Sequence, residues 1–496
     1  SVDLSEYGLG PNKPVKGLIK ILNSYNFTID ENTAIDQEVA LDPELLGKVF
    51  ENLLASYNPE TATTARKATG SYYTPREIVD FMVDESLYAY LKGKCPELPD
   101  NNLRLLLSYS EESPELSEKN KQELISAIDE IKIIDPACGS GAFPMGVLHK
   151  LVYALQKLDP QNNYWYELQY QKAIKESEEV FKRGDKRERE ERLKEINESF
   201  DESINYPDYA RKLYLIENCI YGVDIQPIAI QISKLRFFIS LVLDQKVDKE
   251  KENFGIRPLP NLETRFVAAN TLLYLEKAQY DISNEQIKSL EDKIKSIRHK
   301  YFQAKTRTEK LNYQKEDRRL RSLLAKELEL LGFSIESSKK IADFDLYDQN
   351  SFADFFDPEW MFGMSNGFDI VIANPPYVST KGISERDKEL LKKCYGFVDD
   401  LYNHFYFKGM ELLKDSGILA FISSKTFWTI QTKKNLRELI LRNKLLCLYD
   451  TANPFDAVMV NTCIILVQKT MNPSKDYIFQ FGRFHRKSSQ FDVTEG

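Results

Sequence analysis

Seven short apolar runs, separated by helical stretches, constrain the fold of this 496-residue chain more than any other feature. They lie at residues 131–135, 219–224, 265–270, 368–374, 417–423, 445–450 and 462–469. Strands that are apolar along their whole length are typical of parallel sheets covered by helices on both faces. The pattern therefore predicts an α/β fold built on a doubly wound, seven-stranded, mostly parallel sheet.

Helical segments precede and interrupt the predicted sheet. Residues 1–70 read as a helical segment followed by a linker, and residues 71–470 hold the seven apolar runs. Two polar helical inserts are expected within that domain, a charge-dense one at about 155–215 and a second at about 281–333. In the second insert, apolar residues alternate at spacings of three and four, which predicts a helical hairpin or a short coiled coil.

Composition excludes several classes of protein. The apolar fraction of 42% and charged fraction of 29% are typical of a soluble globular protein, and no apolar run has the length of a membrane span. Six cysteines occur without C-x-x-C pairs and histidines number only four, so reduced thiols in a cytoplasmic protein fit better than disulfides or zinc. The net charge of −9 gives no bulk attraction to nucleic acid, although the segment after Leu401 is mildly basic.

Ligand-binding residue types follow the first three runs. The first run leads into "DPACGSGAF" (135–143), whose glycines let the backbone approach a ligand beside the next helix N-terminus. The second ends on Asp224, which can accept from both hydroxyls of a ribose, and the third ends on Asn270, whose amide can read an adenine edge. Together they predict a nucleoside site at the carboxyl edge of the sheet. A helix cap for Asp224 and a turn for Asn270 are the structural alternatives.

The fourth run ends on the corner Asn374-Pro375-Pro376-Tyr377. Consecutive prolines fix the backbone and cannot donate to a sheet, but they keep their carbonyl oxygens as acceptors. An isolated corner of this kind is most simply a turn that stops a strand.

The glycine loop and this corner together resemble the motif pair of S-adenosylmethionine-dependent N6-adenine DNA methyltransferases. "TGSYYTPREIVDFMVD" (69–84) is similar to the cofactor motif that precedes the glycine loop in that family. Residues 400–428 and 453–469 resemble its later motifs, and the order matches the gamma arrangement. The resemblance covers about residues 40–470. It is greatest to type II restriction–modification enzymes, including single-chain fusions of nuclease and methylase.

This resemblance implies a Rossmann-like methyltransferase sheet, S-adenosyl-L-methionine as cofactor and double-stranded DNA as partner. The target would be N6 of an adenine flipped out of the duplex. The implied cofactor-binding residues are Tyr73, Thr74, Asp135, Ala137, Gly139, Gly141, Asp224, Ile225 and Asn270. The implied catalytic residues are Asn374, Pro375, Pro376 and Tyr377.

The adenine amine is a poor nucleophile because its lone pair is delocalised into the ring. Acceptors aimed at its hydrogens, the Asn374 side-chain carbonyl and the Pro375 backbone carbonyl, would counter that delocalisation. Tyr377 would stack on the target base and Phe455 would close the other face. Phe455 as an ordinary core residue, and Tyr73 with Thr74 as a helix N-cap only, are the alternatives.

Two departures from the family pattern leave other functions open. Residues 1–70 show no nuclease motif, and residues 471–496 are interpreted as the start of a C-terminal target-recognition region. Endonuclease activity would then reside elsewhere in a longer protein. The alternatives are a methyltransferase acting on RNA or on protein glutamine, and a non-catalytic cofactor-binding scaffold of a larger DNA-recognition complex.

Overall fold

All seven apolar runs form strands of one sheet. The computed structural model describes residues 74–181, 194, 196–201, 205–248, 250–256, 260–275, 285–304, 307–348, 350–455, 460–470, 477–485 and 490–495. The predicted segment 1–70 and the candidate Tyr73 lie outside the described residues. The seven strands are β1 Ile133–Asp135, β2 Ile220–Asp224, β3 Phe266–Ala268, β4 Phe368–Ala373, β5 Leu413–Ser424, β6 Lys444–Ala452 and β7 Thr462–Gln468.

The strand order confirms the predicted doubly wound α/β fold. The sheet begins β3-β2-β1-β4-β5-β7-β6. Its first five strands pair in parallel, whereas β7 lies antiparallel between β5 and β6. The chain therefore winds outward from β1 to β3 and then crosses back to β4 on the other side of β1.

Two further strands extend the sheet beyond the predicted seven. β8 (Gln480–His485) pairs in parallel with β6, and β9 (Gln490–Glu495) pairs antiparallel with β8. Buried and more exposed positions alternate along part of β8, as is usual near a sheet edge, so it lacks the continuous apolar run that marks the central strands. Assignment of residues 471–496 to a target-recognition region stays a prediction, and the structure adds that these two strands continue the central sheet.

Helices cover both faces of the sheet. In chain order they are α1 Arg76–Lys94, α2 Asp100–Leu107, α3 Glu118–Glu130, α4 Ala142–Leu158, α5 Asn163–Phe181, α6 Asp208–Asn218, α7 Pro227–Val242, α8 Glu285–Gln303, α9 Arg307–Leu330, α10 Ile335–Asp343, α11 Pro358–Phe362, α12 Glu385–Tyr395, α13 Leu401–Leu412 and α14 Lys434–Leu441. Successive residues of β4 face opposite cores: Ile370 and Ile372 belong to the core that includes residues of α1, whereas Val371 and Ala373 belong to the core that includes residues of α13. This two-sided burial explains why β4 is apolar at nearly every position.

Two predictions from composition concern the cysteines and membrane-spanning helices. All six cysteines are unpaired, and five of them are buried. Burial raises the pKa of the Cys219 thiol to about 11 and that of Cys463 to about 12. Among the described residues, no helix combines the length and apolarity needed to cross a bilayer.

The second predicted insert is a helical hairpin formed by α8 and α9. Ile287, Ile294 and Tyr301 on α8 are buried, as are Leu320 and Leu324 on α9. The alternating spacing seen in the sequence thus marks the side of α8 that packs inward.

A buried charge network anchors this hairpin. Asp317 is fully buried on α9 and accepts from Arg298 Nε at 3.0 Å and from Arg321 Nε at 2.8 Å. Arg298 also donates to the Trp360 carbonyl oxygen of α11 at 2.6 Å. Because both guanidinium groups are buried as well, Asp317 is the counter-charge on which their burial depends.

We expect Asp317→Ala to lower the free energy of unfolding by about 3–5 kcal/mol, because two buried guanidinium groups would lose their counter-charge. Urea denaturation followed by circular dichroism measures the change. The neighbouring Glu316→Ala is the control, since Glu316 forms an exposed pair with Arg319 and should change stability little. Equal denaturation midpoints for the two variants would contradict a stabilising role for the network.

Candidate functional site

The predicted site residues meet where the strand order reverses. β1 and β4 are neighbours, with Ile133 opposite Ile370 and Ile134 opposite Val371. The connection after β1 leads toward β2, whereas β4 leads to β5 on the other side. In such sheets the connections leaving adjacent strands diverge and leave a crevice at the carboxyl edge. Asp135 ends β1 and Asn374 follows β4, so both lie at this crevice.

The loop after β1 requires its glycines. Gly139 and Gly141 have φ angles of +52° and +84°, a backbone region that other residues rarely adopt. Gly141 is also the N-cap residue of α4. A Cβ atom at Gly141 would lie 2.8 Å from Ser233 Oγ, so close packing against α7 excludes a side chain there as well.

Two residues of α7 hold this loop in place. Ser233 Oγ donates to the Gly139 carbonyl oxygen at 2.9 Å, and Arg236 Nη1 donates to the Ser140 carbonyl oxygen at 2.9 Å. Both side chains are buried. Sequence reasoning missed them because a serine and an arginine within an otherwise apolar helix carry no pattern that points to a distant loop.

Asp135, which is buried, and Asp224, which is half-buried, bring two carboxylates to the same loop. Asp224 Oδ2 accepts from the Gly139 N–H at 2.9 Å, and its Oδ1 accepts from the Gln226 N–H at 2.8 Å. Asp135 Oδ1 accepts from the Ala137 N–H at 3.0 Å. Burial raises the pKa of both carboxyl groups, and the charge of Asp224 raises that of Asp135 further. A positively charged ligand with hydroxyl donors would stabilise their ionised forms.

Asn270 and Ile225 lie beside this loop with different environments. Asn270 Oδ1 accepts from the Leu272 N–H at 3.2 Å, the contact expected of the turn alternative, and its predicted role in reading adenine stays a prediction. The next residue, Thr271, donates to the Pro136 carbonyl oxygen at 2.7 Å and thereby joins the end of β3 to the glycine loop. Ile225 is 53% exposed, which leaves an apolar surface directly after Asp224.

Hydrogen bonds on both sides orient the Asn374 amide. Asn374 Nδ2 donates to Thr74 Oγ1 at 3.1 Å, and the Tyr377 hydroxyl donates to Asn374 Oδ1 at 2.6 Å. The Tyr377 hydroxyl also lies 3.3 Å from the Ile422 carbonyl oxygen of β5. The structure thus brings together Thr74, Asn374 and Tyr377, three of the predicted site residues. Thr74 contacts the predicted catalytic amide, whereas its predicted cofactor contact stays a prediction.

Two aromatic rings meet next to this corner. The ring centroids of Tyr377 and Phe455 are 6.1 Å apart, with an interplanar angle of 59°. Tyr377 is half-buried and Phe455 is buried. The predicted base-binding pair is therefore close in space. The burial of Phe455 agrees equally with the core alternative, and contact with a base stays a prediction for both residues.

Comparison with known proteins finds a family model that matches part of the chain. Residues 218–455 match the family model described as Eco57I restriction-modification methylase. This range contains Asp224, Asn374, Tyr377 and Phe455, whereas the glycine loop precedes it.

Curated relatives align over longer stretches. RM.MjaORFECS2P of Methanocaldococcus jannaschii, a candidate type II restriction enzyme and methyltransferase, is 26% identical over 97% of this chain and 42% of its own length. The adenine-specific methyltransferase BrxX of Escherichia coli O9:H4 is 24% identical over 76% of this chain and 28% of its own length. The chain thus spans less than half the length of these two relatives.

One solved structure among the matches is the Type IIL restriction-modification enzyme MmeI in complex with DNA. It is 12% identical with a TM-score of 0.44, and the match covers 92% of this chain and 43% of that one. The similarity to restriction–modification methylases rests on the sequence comparisons. Residues 218–455 of this chain are therefore similar to restriction–modification methylases of the kind described by the Eco57I family model.

Proposed function

We propose that this chain is the methylase part of a restriction–modification enzyme and transfers a methyl group from S-adenosylmethionine to adenine N6 in double-stranded DNA. The observation that most supports this proposal is the orientation of the Asn374 amide. Thr74 and Tyr377 hold this amide at the end of β4, beside the glycine loop that follows β1. The match of residues 218–455 to a methylase family supports the same reaction.

The oriented amide suits a planar amine as substrate. With Nδ2 engaged by Thr74, Asn374 directs its oxygen away from Thr74 and toward the Tyr377 hydroxyl. An amide oxygen has two lone pairs, so Asn374 Oδ1 can accept from the target amine while it keeps the Tyr377 contact. The Pro375 backbone carbonyl supplies a second acceptor on a fixed backbone. Two acceptors aimed at the amine hydrogens stabilise the positive charge that develops on nitrogen during transfer.

The carboxylates and glycine loop fit S-adenosylmethionine as the methyl donor. That molecule supplies an electrophilic methyl group on a positively charged sulfur atom. Asp135 and Asp224 would hold the cationic nucleoside, because both are acids with raised pKa values whose ionised forms gain from a nearby positive charge. The glycine loop allows backbone approach, and Ile225 offers an exposed apolar surface for the adenine ring.

Tyr377 and Phe455 would receive the target adenine once it leaves the duplex. Their adjacent rings provide an aromatic surface on which a flipped base can stack. The same corner chemistry suits the amide of a protein glutamine or an exocyclic amine of RNA, and the family match favours DNA. A non-catalytic scaffold would not need an amide held by two hydrogen bonds at this edge.

We expect Asn374→Ala to reduce methyl transfer on the order of 100-fold or more, because one preorganised acceptor at the reacting nitrogen is lost. Affinity for S-adenosylhomocysteine, measured by calorimetry, should stay close to that of the unaltered chain. Transfer is measured by mass spectrometry of N6-methyladenine in unmethylated plasmid DNA.

Asn374→Asp is the matched variant for that experiment. It keeps an acceptor oxygen but replaces the N–H donor that contacts Thr74, so activity should fall between that of the alanine variant and that of the unaltered chain. A near-normal rate for Asn374→Ala would show that Asn374 does not act on the amine.

S-adenosylmethionine affinity should rise with pH across the raised pKa of Asp135. Below that pKa the carboxyl is protonated and neutral, and above it the carboxylate attracts the cationic sulfur. A single linked proton limits the change to at most about tenfold per pH unit. Calorimetry at several pH values measures it.

The controls for the pH dependence are a second ligand and a neutral variant. S-adenosylhomocysteine has an uncharged sulfur and should show a weaker dependence, and Asp135→Asn should reduce the difference between the two ligands. Identical pH profiles for both ligands in the unaltered chain would contradict an electrostatic role for Asp135.

A further inference from the structure

The backbone that leaves the Asn374–Tyr377 corner is fastened to the start of α13. Thr380 donates to Asp400 Oδ1 twice, from its N–H at 2.9 Å and from its hydroxyl at 3.1 Å. The Leu401 N–H donates to the Val378 carbonyl oxygen at 3.0 Å. These contacts begin one residue after Tyr377, so they restrict the backbone conformation directly after the corner. We call residues 378–380 the exit segment.

A buried lysine far along the chain completes this attachment. Lys433 Nζ lies 2.7 Å from Asp400 Oδ2, the carboxylate whose other oxygen holds Thr380. It also pairs with Asp399, and only 4% of Lys433 is exposed. Its ammonium lies 5.3 Å from the centre of the Tyr402 ring. A long, flexible cation immobilised by two carboxylates and a ring is a specific arrangement and not a solvated surface pair.

Lys433 and Asp400 are both charged at neutral pH, although Lys433 is buried. Burial by itself lowers the pKa of Lys433, but hydrogen bonds to Asp399 and Asp400 raise it above its ordinary value. Burial raises the pKa of Asp400, and its contacts with Lys433 and Thr380 outweigh that effect and lower it. The attachment is therefore ionic at neutral pH.

Lys433 belongs to the connection that follows β5, the strand that also contacts Tyr377. The Tyr377 hydroxyl lies 3.3 Å from the Ile422 carbonyl oxygen of β5, and Lys433 follows β5 by nine residues. Tyr377 of the corner thus contacts β5 directly. The exit segment is linked to the chain after β5 through the contacts of Thr380 with Asp400 and of Asp400 with Lys433. Movement of this ion pair would displace the exit segment relative to the ring of Tyr377.

We propose that Lys433, acting through Asp400, is a positioning residue that fixes the exit segment and so sets the placement of Tyr377 for the target base. The proposal rests on the function proposed above, in which Tyr377 contacts adenine. The side-chain contacts of Lys433 within the described part of the chain are with Asp399, Asp400 and Tyr402, which are not among the predicted base-binding or cofactor-binding residues. Its removal would leave Asp399 and Asp400 as neighbouring, partly buried acids with no cation between them, which favours rearrangement at the start of α13.

The test compares Lys433→Met with Lys433→Arg and with a control in another ion pair. Displacement of a substrate-positioning group by about 1 Å costs on the order of 100-fold in rate. We expect Lys433→Met to lower kcat on plasmid DNA on the order of tenfold to 100-fold, with S-adenosylhomocysteine affinity unchanged. Lys433→Arg keeps the charge and should restore most of kcat.

Lys212→Met is the control, because Lys212 forms a largely buried pair with Asp244 at 2.7 Å on a part of the fold that does not contact the corner. It should lower the melting temperature without changing kcat. A loss of stability in Lys433→Met with unchanged kcat would overturn the proposal. If Lys433→Met does not fold, Asp400→Asn replaces it, since it keeps an acceptor for Thr380 and removes the ionic contact.

Hydrogen exchange separates failure of this proposal from failure of the proposed function. Peptides covering residues 374–382 should exchange faster in Lys433→Met than in Lys212→Met, and the glycine loop at 135–143 should not. If the unaltered chain methylates no adenine, the proposed function fails, and the exchange data still test the attachment. Unchanged exchange at 374–382 would overturn the positioning role whatever the activity.

Discussion

Parallel pairing between β1 and β4 determines where this protein can act. The register that sets Ile133 opposite Ile370 places the residues after the two strands at one edge of the sheet, although they are more than 200 positions apart in sequence. A shift of one residue would turn the buried side chains of β4 toward the wrong cores, so burial on both faces fixes the register. The approach of the glycine loop and the Asn374 corner is therefore a consequence of core packing.

Polar groups near that edge are arranged by backbone contacts as much as by other side chains. Asp224 accepts from two backbone N–H groups, and Arg236 donates to a backbone carbonyl of the glycine loop. Such contacts satisfy buried charges and at the same time fix the loop conformation. Lys433 and Asp400 hold the exit segment in a similar way, because Lys433 pairs with the Asp400 carboxylate and that carboxylate accepts from the Thr380 N–H. Placement of these loops thus depends in part on Arg236 and Lys433, two buried cations outside the motifs.

Much of this arrangement could be predicted from sequence because its signals are local. The seven central strands are continuous apolar runs, and the Gly139–Gly141 loop and the Asn374–Tyr377 corner are short motifs at their ends. Ser233, Arg236 and Lys433 could not be found in this way, because each acts on a segment about 50 or more residues away. β8, which lies between β6 and β9, and the edge strand β9 were not predicted; buried and more exposed residues alternate along part of β8, so it has no continuous apolar run.

The hydrogen bond between Thr74 and Asn374 joins residues 300 positions apart and gives α1 a role in the orientation of the amide. Thr74 lies just before α1, whose buried residues include Ile78 and Met82 and which packs across β4 and β5. Because α1 is anchored by apolar packing, the Thr74 hydroxyl has a fixed position from which to hold Asn374 Nδ2. The Asn374 amide is therefore oriented from both sides of the sheet edge, by Thr74 ahead of α1 and by Tyr377 against β5.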